Sequence, residues 1–490
     1  MQIPCFSRAA IRWSVALAAV VQSFSNSAAA NGAEVVLLRA EVEDRIRGGM
    51  LGQILGNLNG LPHEMKYIHE PGNVTDYVPR LPDGARTDDD TDLEWIYVVE
   101  IERRGDPLIP ADQIARLWRR HVNEGVWCAN GYARQLMELD FEPPLTGSAK
   151  LNPWASFNLS GQFVCESFGL MSPAMPQTAA RIGMHYTRVA VEGEPLQTTR
   201  LFTAMIASAF VEHDVERLLD AGLAAVDPLS EVAAIVAATR DICRAHPDDW
   251  RSARQSIKDR WQVHRGEVRD WNGYELNAAC TIAALVYGRG DMAETLRIAF
   301  NLGWDCDNNA ATAATIVGVM VGRQRLDAQD WEIKDLYRNT TRPGMPDDET
   351  IASYEDRVLA CADIVIRRQG GEAIDVDGEP AYRIVAERAG YVADESADGA
   401  DAPCAGAIAL DPPDDAPETV RRLARAAYLA ICCGVDERLA RERPQEWLDA
   451  VRALASFAGL MREIKAAPRP YGAVQQAGVA RWLEVDQLPD

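Results

Sequence analysis

A chain of 490 residues with 47% hydrophobic and 25% charged side chains has the composition of an ordinary globular protein and exceeds one average domain. It can bury a real core and needs no disulfide scaffold to fold. A formal net charge of −23 argues against non-specific nucleic-acid binding, which requires cationic patches, and favours solubility.

The first thirty residues have the pattern of a secretory signal. Arg8 and Arg12 form a basic n-region, Trp13 to Val21 a short apolar stretch, and Ala28-Ala29-Ala30 a small-residue cleavage site. The apolar stretch is short for a bilayer span, which needs about 20 residues. The alternative is an uncleaved anchor or a misassigned start codon. Cleavage after Ala30 removes two arginines and no acid, which takes the charge from −23 to −25. The expected location is secreted or periplasmic, with no stable membrane association after cleavage. Nine of the ten cysteines remain in the mature chain, scattered and without CxxC spacing. An oxidising compartment would permit one or two bridges, but the pattern demands none. Cys280, in Asn277-Ala278-Ala279-Cys280-Thr281, reads as a buried thiol acting as a small hydrophobe.

Helical periodicity dominates the rest. Gly48, Gly52, Gly56 and Gly60 recur every four residues and so share one helix face. Each glycine costs about 1 kcal/mol relative to alanine inside a helix, so the stripe implies close backbone approach to something. Ala310, Ala314, Gly318 and Gly322 repeat the pattern. Two small-faced helices packed tightly at the centre of a bundle are expected; a glycine-rich loop over 43–60 is the alternative. Further helices are predicted over 109–121, 174–191, 198–222, 229–245, 272–286 and 291–301. Phe202 to Phe210 is apolar nearly all round and should be buried. The best strand signal is Ala373 to Val385, where Asp377-Gly378 turns a short hairpin. Residues 391–416 shift to Asp, Ala and Pro and read as a linker or mobile loop. One helix should begin near Pro417 and a second should run over roughly 445–464. The expected organisation is therefore a signal over 1–30, a helical domain over 41–370, a hairpin and linker over 371–416, and a helical C-terminal extension over 417–490.

Three acidic elements carry chemistry. Glu64 follows the glycine stripe; Asp88-Asp89-Asp90-Thr91-Asp92 and Asp305-Cys306-Asp307-Asn308 are the others. Adjacent carboxylates repel unless solvent or a cation relieves them. If they converge in a cleft, hard oxygen donors suit Mg²⁺ or a similar ion. An EF-hand fails on spacing: from Asp305 the sixth and twelfth positions are Ala310 and Ile316, and from Asp88 they are Leu93 and Val99. Helix capping is the bland alternative for each run, though capping needs only one Asp.

The sequence here resembles the ADP-ribosylglycohydrolases, which include the dinitrogenase-reductase-activating glycohydrolases. The resemblance covers roughly Arg45 to Arg367. Its anchors are Arg47-Gly48-Gly49-Met50-Leu51-Gly52 with Gly56, Gly60 and Glu64, then Thr87 to Trp95, Phe202 to Phe210, and Gly303 to Ala311. Glu166 to Pro173 also looks like the bacterial branch. The resemblance implies an all-α orthogonal helical bundle, here with a small C-terminal appendage, holding two Mg²⁺ ions (Mn²⁺ being the other candidate) in a central cleft. The family's Thr-Asp-Asp-Thr falls on Asp88-Asp89-Asp90-Thr91, so Asp88 replaces a threonine. Its Asp-x-Asp-Thr falls on Asp305, Asp307 and Asn308, with Asn308 replacing a threonine, and Asn57 stands where Asp is common. These departures touch substrate choice more than fold. The implied ligands are Asp88, Asp89, Asp90, Asp305, Asp307 and Asn308, and the implied catalytic residues are Glu64, Asp89 and Asp307.

By the same resemblance the ribose hydroxyls of an ADP-ribosyl group would coordinate the ions, and a related small molecule or an ADP-ribosylated partner is the expected substrate. Cleavage at the anomeric carbon would pass through an oxocarbenium-like state. Glu64 is the candidate for acid/base or positioning work. Trp154, Phe163 and Tyr186 are candidates to stack adenine, and the Asn152-Pro153 turn to place polar groups nearby. His185 and His213 have no metal spacing and read as packing or surface residues. The alternative from another class is a non-catalytic binding or structural relative of the same fold. A two-metal phosphoesterase ranks last, since none of the seven histidines lies in the acidic motifs.

Overall fold

The structure is a computed structural model, described over residues 34–393, 408, 410, 416–469 and 471–483. The signal expected over 1–30 and most of the linker over 391–416 lie outside the described residues.

Helices dominate from Arg39 to Trp482, and the fold is all-α. At its centre the helix Arg39–Gly60 lies against the helix Cys306–Val321. The glycine stripe is the reason they meet. A Cβ on Gly52 would sit 2.1 Å from the carbonyl oxygen of Ala314, and one on Gly48 would sit 2.3 Å from that of Gly318. The contact is reciprocal, because a Cβ on Gly318 would fall 2.1 Å from the Gly48 carbonyl oxygen. Backbone thus packs on backbone, and the conformational cost of glycine is offset by contacts that no larger residue permits. The expectation of a helix, rather than a loop, over 43–60 is met along its length. Ile46, Met50, Leu51, Ile54 and Leu55 are buried on the faces left over, joining the main core.

Gly52→Ala is therefore expected to destabilise the protein and lower its melting temperature, the clash costing well over the ~1 kcal/mol that alanine gains in helix propensity. Its methyl meets main chain that cannot rotate away. A mutant as stable as the parent in thermal unfolding would show that the two helices can part.

Several other boundaries differ from the sequence reading. The stretch 198–222 is two helices, Glu194–Ser208 and Val215–Ala225, parted by a turn in which Asp214 caps the second. The C-terminal stretch 445–464 is likewise split, into Pro444–Ala455 and Ala458–Ala466. The hairpin is Glu372–Val376 with Glu379–Val385, turned at Asp377 and Gly378, both at positive φ. A third strand, Glu34–Leu38, pairs antiparallel with Glu379–Val385. It begins just past the proposed cleavage site and has too few alternating residues to have been read from sequence.

The helix Ala416–Cys432 and those after it build a second core with residues 129–157, including Tyr132, Leu136, Phe141, Leu151 and Phe157. The extension thus packs on the helical domain. Among the described residues seven cysteines are free, six of them buried, and Cys433 is disulfide-bonded. No helix among the described residues is long and apolar enough to cross a membrane.

Candidate metal centre and cleft

The helix Asp89–Arg104 starts beside a short parallel pairing of Ala85–Arg86 with Tyr337–Arg338, which sets its entry angle. The helix Cys306–Val321 starts from the turn Gly303-Trp304-Asp305. Both N-termini open on one cleft of about 320 Å³. Its acidic wall is Glu64, Asp88, Asp89, Asp90, Asp305 and Asp307. Oxygens of Glu64, Asp305 and Asp307 lie within 4.8 Å of one another, and so do oxygens of Asp88, Asp90 and Asp307. The two groups share Asp307.

Capping does not account for these acids. Asp88 and Asp305 stand at the N-caps of their helices, yet neither side chain bonds the helix end. Elsewhere in the same chain Asp214, Asp249 and Asp291 do cap, each accepting from backbone N–H groups. The site acids are instead turned toward one another. Burial, and then Asp307, Asp89 and other carboxylates, hold Asp90 well above the usual carboxyl range. Burial and then Asp307 do the same for Asp305, and burial followed by Glu64 and Asp88 pushes Asp307 up to about 8. Glu64 sits at the exposed mouth, but partial desolvation and Asp88 raise its carboxyl too. Asp307 Oδ1 is buried with no hydrogen-bond partner. An orphaned buried oxygen among repelling carboxylates is what a cation relieves, and an all-oxygen donor set suits a hard divalent ion.

Not every expected ligand joins these groups. Asp89 lines the cleft but belongs to neither trio. Asn308 does not line the cleft; its Oδ1 accepts from Gln162 Nε2 at 2.7 Å, in a buried amide layer where Gln162 also reaches Asn309 and Thr281. Asp92 is set apart by a fully buried ion pair with Arg342 at 2.8 Å. Helical spacing explains this: Asp88 and Asp92 are four apart, but Asp88 precedes the first turn in extended backbone.

Asn57 has a role that sequence reading missed. Its Nδ2 donates to Asp88 Oδ1 at 3.0 Å and to Asp90 Oδ2 at 3.1 Å. An Asp here would add a charge and remove both donors; the amide instead holds the two carboxylates in one orientation. Arg254 is the second. Fully buried, it stacks its guanidinium 4.4 Å from the Trp304 ring and donates to the carbonyls of Leu302 and Tyr67, each at 2.7 Å. It ties the segment that carries Glu64 to the turn that carries Asp305. Met65 N–H to the Trp304 carbonyl, 2.8 Å, adds a second tie. Nothing in the local sequence around Arg254 marks this.

The other cleft wall is aromatic and amide: Trp127, Phe163 and Trp271, with Asn158 and Asn272. Of the three aromatic candidates only Phe163 is there. Trp154 packs in the second core, and Tyr186 stacks on Phe168 with its hydroxyl donating to the Pro107 carbonyl. Asn152 is also internal, its amide donating to the carbonyls of Ala129 and Thr146. These corrections share a cause: buried aromatics and amides look the same in sequence whether they face a core or a cleft. His185 faces the Ile109 carbonyl and His213 lies beside Arg45, both away from the acids.

The profile of the ADP-ribosylglycohydrolase family matches residues 38–369. A solved structure described as an ADP-ribosylglycohydrolase-related protein complex aligns with 66% of this chain and 99% of its own, at 17% identity and a TM-score of 0.45. No curated protein matches the chain.

Proposed function

The chain belongs to the ADP-ribosylglycohydrolase family, and from that premise we propose a metal-dependent glycoside hydrolase that cleaves an ADP-ribosyl or related N- or O-ribosyl bond. The observation that carries the reading is the pair of acid groups sharing Asp307. Glu64, Asp305 and Asp307 would hold one divalent ion, and Asp88, Asp90 and Asp307 a second, Mg²⁺ or Mn²⁺. When bound, such ions supply charge neutralisation, substrate orientation and an acidified water.

The chain's own residues do the rest. Glu64 stands at the mouth, where desolvation and then Asp88 raise its carboxyl, and it is the acid/base or positioning candidate beside a leaving group or water. Asn57 keeps Asp88 and Asp90 aimed into the cleft. Trp127, Phe163 and Trp271 offer apolar faces to a planar group and shield that end from water. Asp89 is proposed to bind or orient a ribose hydroxyl from the acidic wall.

Export to an oxidising compartment is part of the proposal. The basic, apolar and small-residue pattern of residues 1–30 supports it, as does the disulfide at Cys433, since disulfides persist outside the reducing cytosol. The substrate there is an ADP-ribosylated protein or a smaller ribosyl conjugate.

The test is direct. Mature protein with Mg²⁺ is incubated with ADP-ribosylated arginine and serine peptides, and free ADP-ribose is measured by mass spectrometry. Release that stops with EDTA is expected. Saturable binding without release would instead identify a binding relative of the fold, and release indifferent to EDTA would remove the metal from the reading.

A further inference from the structure

The family match ends at residue 369, and every residue lining the cleft lies within it, yet one wall of the cleft is backed by residues beyond that point. Its aromatic and amide wall is made of three short segments, and each leans on the C-terminal extension or on a residue that does. Cys128 opens the helix Cys128–Glu138, whose buried face, Ala129, Tyr132, Ala133 and Leu136, packs in the second core with the extension. The Tyr132 hydroxyl meets that of Tyr428 at 2.7 Å. A Cβ on Gly131 would stand 3.5 Å from Glu463 of the extension.

Behind Asn158 and Asn272 lies a second layer. Phe157 packs against Tyr471 with ring centroids 4.5 Å apart and the planes tilted by 41°. Arg269 Nε donates to the Tyr471 hydroxyl at 3.0 Å, and its guanidinium lies 4.7 Å from the Phe157 ring. Arg269 is further fixed by Glu275. In front of this layer the cleft residues bond one another: Leu159 N–H to the Asn272 carbonyl at 3.0 Å, and Cys128 Sγ to Asn272 Oδ1 at 3.4 Å. Trp127, 61% exposed at the rim, and Trp271 flank these bonds in sequence. Tyr471 thus backs the Asn158 and Asn272 segments through Phe157 and Arg269, and reaches Cys128 one bond further on, through Asn272.

We infer that the C-terminal extension is a working part of the cleft, and that Tyr471, wedged on Phe157 and Arg269, is a positioning residue that fixes the Trp127 and Trp271 rim where the ligand's planar end would be gripped. The effect expected of the extension is on ligand binding rather than on the acid groups, because among the described residues its hydrogen bonds and ring contacts back the aromatic wall. The nature of the ligand rests on the ADP-ribosyl reading above; the brace itself does not.

Tyr471→Ala and Tyr471→Phe in the full chain test it. Tyr471→Ala should raise KM for an ADP-ribosyl peptide about tenfold with kcat within about twofold, as expected when a binding wall moves and the reacting end does not. Mg²⁺ affinity by calorimetry should not change. Tyr471→Phe keeps the ring and loses only the hydroxyl, so it should lie between. In hydrogen exchange of Tyr471→Ala, amides near Trp127, Asn158 and Asn272 should exchange faster while those from Asp305 to Ala311 stay as they were. Faster exchange across both sets would mean a general loss of stability and would overturn the inference, as would unchanged exchange at the rim. If the parent protein releases no ADP-ribose, the functional reading fails while the exchange pattern still decides the brace.

Discussion

Asp307→Ala is expected to abolish tight divalent-cation binding and to lower turnover about 10³-fold, roughly 4 kcal/mol of transition-state stabilisation. The size of the effect follows from geometry: Asp307 is the one residue common to both acid groups, so its loss damages each. Glu64→Ala, by contrast, leaves the group of Asp88, Asp90 and Asp307 intact. The charge-removing but shape-keeping Asp307→Asn should raise the stability of the metal-free protein. In EDTA at pH 8 it should melt higher than the parent, because the buried carboxylate is repelled by Glu64 and Asp88 and has an oxygen with no partner. Calorimetric titration with Mg²⁺ and thermal unfolding in EDTA read the two effects. Full two-ion binding by Asp307→Ala, or a lower melting temperature for Asp307→Asn, would contradict the shared-ligand geometry.

Metal-free protein is expected to lose stability as pH rises from about 4 to about 8, and Mg²⁺ to restore it. The carboxyls of Asp90 and Asp305 are held well above the ordinary range by burial and by their neighbours, and Asp307 is pushed to about 8. Below this layer Glu166, buried against Thr312, is raised to about 7 by burial. Unfolded, such groups titrate near 4. The folded state therefore binds more protons between the two values, so ∂ΔG/∂pH is negative there. The stabilisation is whole below the unfolded value and is lost as pH climbs through the folded one. Glu212 and Asp249, lowered by hydrogen bonds in surface turns, oppose this only weakly because they are exposed to solvent. A cation competes with those protons, so Mg²⁺ at about 100 times its Kd should add about 2.7 kcal/mol at pH 8 and less at pH 5. Melting temperatures at the two pH values, with EDTA and with Mg²⁺, give four numbers. Stability in EDTA that rises from pH 5 to pH 8, with no response to Mg²⁺, would mean that the acids do not face one another.

Much of the centre was legible because it rests on short-range rules. Glycine every four residues means, in a helix, one face and close approach, and Gly52 and Gly48 do meet the carbonyls of Ala314 and Gly318. The acid runs were visible as runs. What they would do was less visible, since capping and ion binding use the same residues at the same helix position. The unbonded caps at Asp88 and Asp305 separate the two, and those are properties of folded side chains. Asn308 shows the same limit from the other side. In sequence it continues the acidic motif, but one residue past Asp307 the helix turns it about 100° away, toward the Gln162 amide, which donates to both Asn308 and Asn309.

The order of residues by itself determined the all-α class, the central pair of helices, the oxygen-rich chemistry and the family. Each depends on periodicity or on motif spacing, which are local. Only tertiary structure decided that Asp307 is shared, that Asn57 orients Asp88 and Asp90, that Arg254 clamps Trp304, and that Trp127 and Trp271 form the far wall. Those relations join residues up to 243 positions apart, from Glu64 to Asp307. Nothing along the chain encodes such a distance; it is set by which buried surfaces pack together.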